Sequence, residues 1–489
     1  MNAIKIHELD NVAVALSELS AGTEVFGVTL TSEVPMGHKF ALTDIAPSEN
    51  VVKYGLPIGH ATAPVKCGEW VHTHNMATNL KGELEYSYNP SLTELPSREP
   101  LTFMGFRRPD GSVGIRNEIW IIPTVGCVND IAKHLAREAE TLVSGTLDGV
   151  YAFPHPYGCS QTGGDHETTR RLLSSLAHHP NAAGVLVLGL GCENLTEEQF
   201  REALGDYDEN RIKFLICQKS DDEIEDGMKL LSELSLLAKG YSREPIPVSE
   251  LKVGMKCGGS DGLSGITANP TVGKFSDILI SMGGTTVLTE VPEMFGAETL
   301  LMNRALDEAV FDKTVDMINS FKAYFINHGE NVYENPSPGN KKGGITTLED
   351  KSCGCVQKGG SATVADVIGY GERITKHGLN LLSGPGNDLV SATALTASGA
   401  HLVLFTTGRG TPFGAPAPTM KLSTNTPLAT KKSSWVDFSA GTVADGKETI
   451  DEAAERLLSL VIEVASGKKT RTEEMGYREI AIFKDGVTL

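Results

Sequence analysis

The feature that most constrains the fold is a regular alternation of short apolar runs and helical segments along residues 101–489. Apolar runs of strand length occur at 118–124, 185–190, 212–217, 379–383 and 401–406. Segments with capping-box patterns, starting at Thr196, Ser220 and Thr449, lie between or after these runs and predict helices. Strands that alternate with helices pair in parallel sheets. We therefore predict a large α/β body with mainly parallel sheets, divided into one α/β domain over 101–245 and another over 246–489.

The first hundred residues have a different pattern. Residues 1–86 contain short alternating stretches, for example around Val12 and Val14, interrupted by glycine and proline. This pattern predicts a small β-rich module. Residues 87–100 contain three prolines and few apolar side chains, so we predict a linker there.

The charge of the chain restricts its partners. The 489 residues carry a formal net charge of −19, which argues against nucleic acid because phosphate contacts need clustered Lys and Arg. An anionic small-molecule substrate would therefore need a locally positive site. No apolar run approaches the roughly 18 residues of a membrane helix, and the N-terminus lacks the pattern of a secretory signal. We expect a cytoplasmic protein with no membrane partner, and the sequence leaves a homo-oligomer open.

Six glycine-rich polar segments follow or adjoin the predicted strands. Taken alone, each is more often a tight turn than a binding loop, and none matches the P-loop or the spaced dinucleotide pattern. Together they predict a ligand site at the carboxyl ends of the strands. The segments are 155–161, 189–194, 257–265, 339–344, 384–388 and 408–412.

Cysteine and histidine in these segments suggest a metal site. Eight cysteines in a chain of this size favour metal binding or plain burial over disulfides. Cys127, Cys217 and Cys257 lie in apolar or strand contexts, where burial is the simpler explanation. For Cys159, Cys192 and the tight pair of Cys353 and Cys355, metal binding and burial are evenly balanced explanations. Cysteine with histidine suits iron or zinc. The metal ligands that we predict are His155, Cys159, Cys192 and Cys355.

Two further groups can supply an acid and a base. A His-x-His pair on a strand points both rings to one face, although a solvated edge strand would explain the pair equally well. Carboxylates follow the apolar run 286–288, where one can serve as a base. The catalytic residues that we predict are His72, His74, Glu290 and Lys341.

Other polar residues of the chain can bind carboxylate or hydroxyl groups of a ligand. Arginine forms bidentate pairs with carboxylates, which favours Arg116 and Arg409. Asn194, Ser260, Asp261 and Asn387 can bind hydroxyls.

Long specific strings from one end of the chain to the other resemble the altronate/galactarate dehydratase family. They include AspAsnValAlaValAla at 10–15, ValHisThrHisAsn at 71–75, GlyIleArgAsnGlu at 114–118, TyrGlyCysSerGln at 157–161, GlyLeuGlyCysGluAsn at 189–194, CysGlyGlySerAspGlyLeuSerGly at 257–265, GluValProGluMetPheGlyAlaGlu at 290–298 and ThrGlyArgGlyThrPro at 407–412.

The resemblance implies an N-terminal SAF-type (β-clip) module ahead of the α/β body. It implies iron(II) as the metal, with manganese(II) as a substitute, and removal of water from D-altronate to give 2-dehydro-3-deoxy-D-gluconate in hexuronate catabolism. The site residues above come from the residue patterns and not from the resemblance.

Three alternatives stay open. A galactarate dehydratase or a sulfolactate sulfo-lyase of the same family would apply the same chemistry to another acid. An iron–sulfur hydro-lyase could hold a cluster on Cys159, Cys192 and Cys355. A protein that binds sugar acids without turnover is disfavoured by the number and variety of polar loops.

Overall fold

The computed structural model describes residues 2–80, 82 and 84–489. Its N-terminal module consists of short strands that pair antiparallel in the orders β1-β2-β5-β8, β6-β7-β9 and β3-β4. Strand residues such as Val12, Phe40, Val51 and Ile58 point inward and are buried. The strands are β1 (Ala3–Ile4), β2 (Val12–Ala15), β3 (Glu24–Val25), β4 (Val28–Thr29), β5 (Lys39–Ala41), β6 (Asn50–Lys53), β7 (Leu56–Ala61), β8 (Trp70–Val71) and β9 (Met76–Ala77).

Residues 87–100 form neither helix nor strand and lie along the C-terminal part of the chain. The Tyr88 hydroxyl donates to the Ala305 carbonyl at 2.7 Å, and the backbone N–H of Ser91 donates to the Asn303 carbonyl at 2.7 Å. These contacts fix the path of the predicted linker over the body.

The next domain contains a parallel sheet in the order β13-β12-β14-β15. Beside it, β10 pairs antiparallel with β11 and β16. The elements are β10 (Thr102–Arg107), β11 (Val113–Gly114), β12 (Glu118–Pro123), α1 (Asn129–Glu138), β13 (Gly149–Ala152), α2 (Gly163–Ala177), β14 (Ala182–Gly189), α3 (Glu197–Leu204), β15 (Ile212–Ile216), α4 (Glu223–Lys239) and β16 (Glu244–Pro247).

Of the three predicted capping boxes, those of Thr196 and Thr449 are formed at the starts of their helices. The box predicted at Ser220 is wrong. Asp222 caps α4 instead, and its carboxylate accepts from the backbone N–H groups of Ile224 and Glu225. An Asp at the helix start satisfies free N–H groups as well as a Ser does, and its charge favours the positive end of the helix dipole.

The C-terminal domain contains a larger parallel sheet in the order β19-β20-β18-β17-β21-β22-β23. Its elements are β17 (Lys252–Cys257), α5 (Ala268–Ser281), β18 (Thr285–Leu288), α6 (Glu298–Met302), α7 (Glu308–Asn327), α8 (Pro338–Lys342), α9 (Leu348–Cys355), β19 (Val364–Ile368), β20 (Gly378–Leu382), α10 (Asp388–Ala397), β21 (Leu402–Thr407), β22 (Thr419–Ser423), α11 (Thr426–Lys431), β23 (Phe438–Ser439), α12 (Gly441–Ala444), α13 (Ile450–Ala465) and α14 (Arg471–Glu474).

Strands of both parallel sheets are buried along their whole length, as in β14 and β21. Helices cover both faces of such sheets, which explains the continuous apolar runs in the sequence. The predicted fold class, a β-rich module followed by an α/β body with mainly parallel sheets, is confirmed. The predicted domain limits stay a prediction, and the limit at 245/246 falls inside β16.

A search of the described residues for a helix that is long and apolar enough to cross a membrane finds none.

Candidate metal centre and active site

The carboxyl end of β17 is the point where the strand order of the larger sheet reverses. The chain first builds β18 to β20 on one side of β17 and then β21 to β23 on the other. A reversal of this kind opens a crevice above the sheet, where α/β proteins bind their ligands. Cys257 is the last residue of β17 and therefore lies at the floor of this crevice.

Three buried side chains meet there. The Sγ atom of Cys257 lies 2.8 Å from Oε2 of Glu293, the Sγ atom of Cys355 lies 3.1 Å from the same oxygen, and the two sulfurs are 3.5 Å apart. In the part of the chain that the structure describes, these three residues form the single group of potential ligands whose ligand atoms all lie within 4.8 Å of one another. Two sulfur donors and one carboxylate suit iron or zinc.

The local backbone holds these side chains in place. Glu293 ends a short 3-10 turn, Val291–Glu293, directly after β18, and Cys355 ends α9. Between β18 and the turn, Glu290 adopts a left-handed conformation with φ 72°. A residue with a Cβ atom in this region costs on the order of 1–3 kcal/mol and marks a functional constraint. Here Oε2 of Glu290 accepts a hydrogen bond of 2.8 Å from the backbone N–H of Cys257, which fixes the first thiol.

Two buried lysines balance the negative charge of the group. Nζ of Lys351 lies 2.6 Å from Oε1 of Glu293, and Lys358 is also buried beside the group. Burial opposes ionisation of Glu293, but the two ammonium groups hold its pKa at about 2. The hydrogen bond from Cys355 lowers the pKa of Cys257 to about 6. The group therefore offers a carboxylate and a thiolate near neutral pH, which are the forms that bind metals.

A second buried cluster adjoins Cys257. Nζ of Lys256 donates to Oε1 of Glu290 at 2.8 Å, to Oδ1 of Asp388 at 2.8 Å and to Oγ of Ser391 at 3.1 Å. Burial alone would lower the pKa of Lys256, but the two carboxylates reverse this effect and raise it. Lys256 is fully buried, whereas the Asp388 side chain is 34% exposed, so Asp388 is where this cluster opens to solvent.

The N-terminal module docks onto α9 through a buried ion cluster. Nζ of Lys39 lies 2.8 Å from Oδ2 of Asp350, and Nζ of Lys53 lies 3.1 Å from Oδ1. Lys39 also donates to the Gly344 carbonyl and to Oγ1 of Thr346, at 2.9 and 2.6 Å. Because Asp350 precedes Lys351 in α9, the docked module lies directly beside the candidate metal centre.

Glycine backbones make the closest contact between the module and the body. A Cβ atom built on Gly262 would lie 1.9 Å from the Gly37 carbonyl oxygen, and one built on Gly344 would lie 2.2 Å from it. Both distances are too short for any side chain. The loops after β17 and α8 are therefore glycine-rich because the module lies against them.

Family models of one family match nearly the whole chain. The family model described as "Altronate/galactarate dehydratase SAF domain" matches residues 1–79. "D-galactarate dehydratase/Altronate hydrolase, second domain" matches residues 105–239, and "D-galactarate/Altronate dehydratase, C-terminal" matches residues 248–488. The chain belongs to the altronate/galactarate dehydratase family. The predicted SAF-type module and the predicted family are confirmed.

Known relatives agree with the family models. The altronate dehydratase of Escherichia coli (strain K12) is 56% identical over 496 residues, covering 100% of both chains. The altronate dehydratase of Bacillus subtilis (strain 168) is 54% identical, covering 99% of both chains. The galactarate dehydratase (L-threo-forming) of Escherichia coli (strain K12) is 35% identical, covering 98% of this chain and 96% of its own. The prediction that this chain is an enzyme of the hydro-lyase class is also confirmed.

Among the predicted metal ligands of the dehydratase, only Cys355 belongs to the buried group. His155 is buried, with its Nε2 2.7 Å from the Pro123 carbonyl and its Nδ1 accepting from the Tyr157 backbone N–H. Both ring nitrogens are therefore occupied, and burial lowers its pKa to about 4. Cys159 and Cys192 are exposed thiols in loops of the second domain. We do not retain His155 as a ligand, and the two thiols belong to a different region from Cys355.

The predicted histidine pair divides into one residue at the interface and one at the surface. His72 is partly buried, and its Nδ1 lies 3.5 Å from Oγ1 of Thr346 in the body. Burial lowers its pKa to about 4, so the ring is neutral at pH 7. His74 is exposed and contacts the Trp70 ring.

Arg116 has a structural role instead of the predicted one. Its guanidinium pairs with both carboxylate oxygens of Glu473, at 2.7 and 2.9 Å, and also donates to the carbonyls of Ile115, Val464 and Lys468. Since it is buried and its nitrogens are all engaged, it joins the second domain to the C-terminal segment and has no donor left for a substrate carboxylate.

Arg409 and Lys341 lie on the loops that surround the crevice. Arg409 is exposed, and its Nε lies 3.9 Å from the position that a Cβ atom on Gly339 would occupy. Lys341 lies in α8, two residues after Gly339, and is partly exposed. Both cations are placed to meet an anion entering from solvent.

The four predicted hydroxyl-binding residues have mixed surroundings. Oδ1 of Asn387 caps α10 beside Asp388, and the Asp261 carboxylate accepts from Ser264, Thr424 and Asn425, which leaves it a structural role. The buried Ser260 hydroxyl has no hydrogen-bond partner among the described residues. Oδ1 of Asn194 accepts from the Ser160 backbone N–H, far along the chain from the crevice.

Residue patterns alone did not single out Cys257, Lys256, Lys351 or Lys358. Cys257 resembled a core residue because it ends an apolar strand, and the lysines are charged residues that become buried only by pairing with distant carboxylates. One pattern in the sequence does point to this group. The Cys-Gly-Gly segment follows the end of β17, and Glu290 and Glu293 follow the end of the next strand, β18.

Proposed function

We propose that this protein removes water from D-altronate to give the corresponding 2-keto-3-deoxy acid. The observation that carries the proposal is the difference in identity between relatives. Two altronate dehydratases are 54–56% identical over at least 99% of each chain, whereas the galactarate dehydratase is 35% identical. The site described above supplies the groups that this reaction needs.

Dehydration of a 2,3-dihydroxy acid requires two proton transfers. A base removes the C2 proton, an acid assists departure of the C3 hydroxide, and the resulting enol tautomerises to the 2-keto acid. The C2 proton is only weakly acidic because the adjacent carboxylate is already negative. The site must therefore stabilise additional negative charge while it keeps a base unprotonated.

We assign Cys257, Glu293 and Cys355 as the residues that hold a divalent metal, iron(II) by preference and manganese(II) as a substitute. Their burial, their mutual distances and the carboxylate form of Glu293, which Lys351 and Lys358 stabilise, fit such an ion. When bound, the ion would supply Lewis-acid stabilisation of the negative charge that develops on the substrate, an effect of several kcal/mol. Glu290 acts on this site by anchoring the backbone of Cys257.

The remaining roles follow from charge and exposure. Arg409 and Lys341 are the partly exposed cations that can receive the substrate carboxylate. His72 is neutral at pH 7 and lies at the junction of module and body, which suits the base. Lys256 is protonated and connects through Asp388 to solvent, so this pair can deliver the proton to the departing hydroxide.

The test is an anaerobic assay of the iron-loaded protein against altronate, galactarate, gluconate, mannonate and sulfolactate. We expect the 2-keto acid to form fastest from altronate. Chelation should abolish turnover, and iron(II) or manganese(II) should restore it. Faster turnover of galactarate would refute the substrate, and full activity in metal-free protein, verified by elemental analysis, would refute the metal.

A further inference from the structure

A second set of cysteines lies in the domain between the N-terminal module and the candidate metal centre. Each of Cys127, Cys159 and Cys192 follows a glycine directly, and each comes after a different strand of the smaller parallel sheet, β12, β13 and β14. Those three strands are neighbours in the order β13-β12-β14. Because they are parallel, all three Gly-Cys pairs follow strand ends at the same edge of the sheet.

This edge is also a switch point. The chain places β13 on one side of β12 and then β14 and β15 on the other, so the crevice of this domain opens above the end of β12. The domain thus repeats, with three thiols, the position that Cys257 occupies in the larger sheet.

Backbone hydrogen bonds join the three cysteine loops into one layer. The N–H of Gly126 donates to the Tyr157 carbonyl at 2.9 Å, and the N–H of Leu195 donates to the Gly158 carbonyl at 3.0 Å. The N–H of Ser160 donates to Oδ1 of Asn194 at 2.8 Å. Each of these residues lies within three positions of one of the cysteines, so the loops cannot move independently.

Three residues beside the cysteines have positive φ angles. Gly158 and Gly191 have φ of 97° and 125°, and Ser160, which has a side chain, has φ 57°. A Cβ atom on Gly158 would lie 1.8 Å from the Thr124 carbonyl oxygen. Strain of this kind, on the order of 1–3 kcal/mol at a residue such as Ser160, persists where a site needs it.

The thiols are exposed, although free cysteine is among the most buried residue types. Helices α1, α2 and α3 begin within five residues after the respective cysteines. Gln161, two residues from Cys159, is buried with its Nε2 lacking a partner among the described residues, so a hydrogen-bond donor remains unused beside this layer.

The distances between the three sulfur atoms distinguish a site for a single metal ion from a site for an iron–sulfur cluster. Three thiolates on one tetrahedral ion, with bonds of about 2.3 Å, lie within about 4 Å of one another. In the described residues, the three sulfurs do not form a group with all distances within 4.8 Å. A cluster of several iron atoms bridged by sulfide spans a wider triangle of cysteine ligands.

We propose that Cys127, Cys159 and Cys192 hold an iron–sulfur cluster at the carboxyl edge of the second domain's sheet. Three cysteine ligands leave one iron of a four-iron cluster without a protein thiolate. This centre is distinct from the Cys257, Glu293 and Cys355 group, and the inference does not depend on which sugar acid the enzyme uses.

The experiment uses the full chain, purified anaerobically and reconstituted with iron and sulfide. We expect acid-labile sulfide, broad visible absorption and an electron paramagnetic resonance signal in one redox state. Cys127→Ser, Cys159→Ser and Cys192→Ser should each remove these signals. Cys67→Ser, in the N-terminal module, and Cys257→Ser, in the other centre, should keep them.

A second measurement does not depend on the folding of any variant. Alkylation of the unmodified protein, located by mass spectrometry, should label Cys127, Cys159 and Cys192 in the cluster-free form and spare them in the reconstituted form, with equal labelling of Cys67 in both. Iron binding without labile sulfide would overturn the proposal. So would labile sulfide that survives all three substitutions, or equal alkylation of the three thiols before and after reconstitution.

Discussion

Single residues in the C-terminal domain differ sharply in their roles, although they lie close together in the sequence. Cys353 and Cys355 are both buried in α9, two positions apart. Cys355 contacts Glu293 and Cys257, whereas Cys353 does not belong to this group of potential ligands. Replacing each cysteine in turn therefore tests the centre, because both side chains are similarly buried and lie in the same helix.

We predict that Cys355→Ser lowers the iron(II) bound by the protein prepared without sulfide, and therefore free of any cluster, to a small fraction of the unmodified value. Its kcat should fall by about 10²-fold or more, because a Lewis acid worth several kcal/mol is lost. Cys353→Ser, the matched control, should keep both. Iron per chain is measured by elemental analysis and kcat with saturating altronate. Retention of iron by Cys355→Ser would contradict the assignment of this centre.

At the same scale, residue chemistry predicted some site residues and not others. The sequence predicted Cys355 as a ligand, and the structure places it in the buried group with Cys257 and Glu293. Glu290 was predicted as a catalytic residue, whereas in the structure its carboxylate accepts from the backbone N–H of Cys257. Cys257 was missed because its position at the end of an apolar strand is also typical of a core cysteine. Arg116 was assigned to the substrate because its partner Glu473 lies 357 positions away, and no local pattern reveals a pairing of that length.

The elements could be predicted more fully than the contacts between them. Periodicity and length identified β12, β15, β20 and β21 within one residue at each end, because buried strands form apolar runs. The run predicted for β14 missed the first three residues of that strand. The order of the strands in the two sheets, and therefore the two switch points, depends on crossovers that the sequence does not encode locally. The location of both candidate metal centres follows from that order.

His72 and His74 lie in the turn between β8 and β9 and not on a strand as predicted, and the turn presents the two rings differently. His72 meets Thr346 of the body, and His74 faces solvent. We predict that His72→Ala lowers kcat by about 10²-fold or more, as expected for loss of a positioned base, with iron content unchanged. His74→Ala should change kcat little.

We would measure kcat of both variants with altronate and compare their circular dichroism spectra with that of the unmodified protein. A lower kcat with an unchanged spectrum shows loss of a catalytic group and not a folding defect. If both variants kept near-normal kcat, the base would have to be sought in the Lys256, Glu290 and Asp388 cluster.

For the whole molecule, the junction of module and body depends on one carboxylate. Asp350 accepts from Lys39 and Lys53, and all three side chains are buried. Burial favours the neutral form of Asp350, but the two ammonium groups outweigh it and hold its pKa well below the ordinary value. Its contribution to stability is therefore complete above the ordinary aspartate pKa of about 3.9 and is lost as the pH falls from there through the lowered value.

We predict that Asp350→Asn destabilises the protein by about 3–5 kcal/mol at pH 7, because it leaves two buried ammonium groups without a counter-charge. Asp44→Asn, which breaks the exposed pair with Lys66, should change the stability little, because solvent screens this pair. Urea midpoints of the three proteins measure this. The loss of stability in Asp350→Asn should stay constant from pH 7 to 5 and shrink below about pH 4, where the unmodified protein also loses the charge.

Because the same cluster docks the module, Asp350→Asn should also speed proteolysis within residues 87–100. A cleavage rate equal to that of Asp44→Asn would show that other contacts hold the module in place.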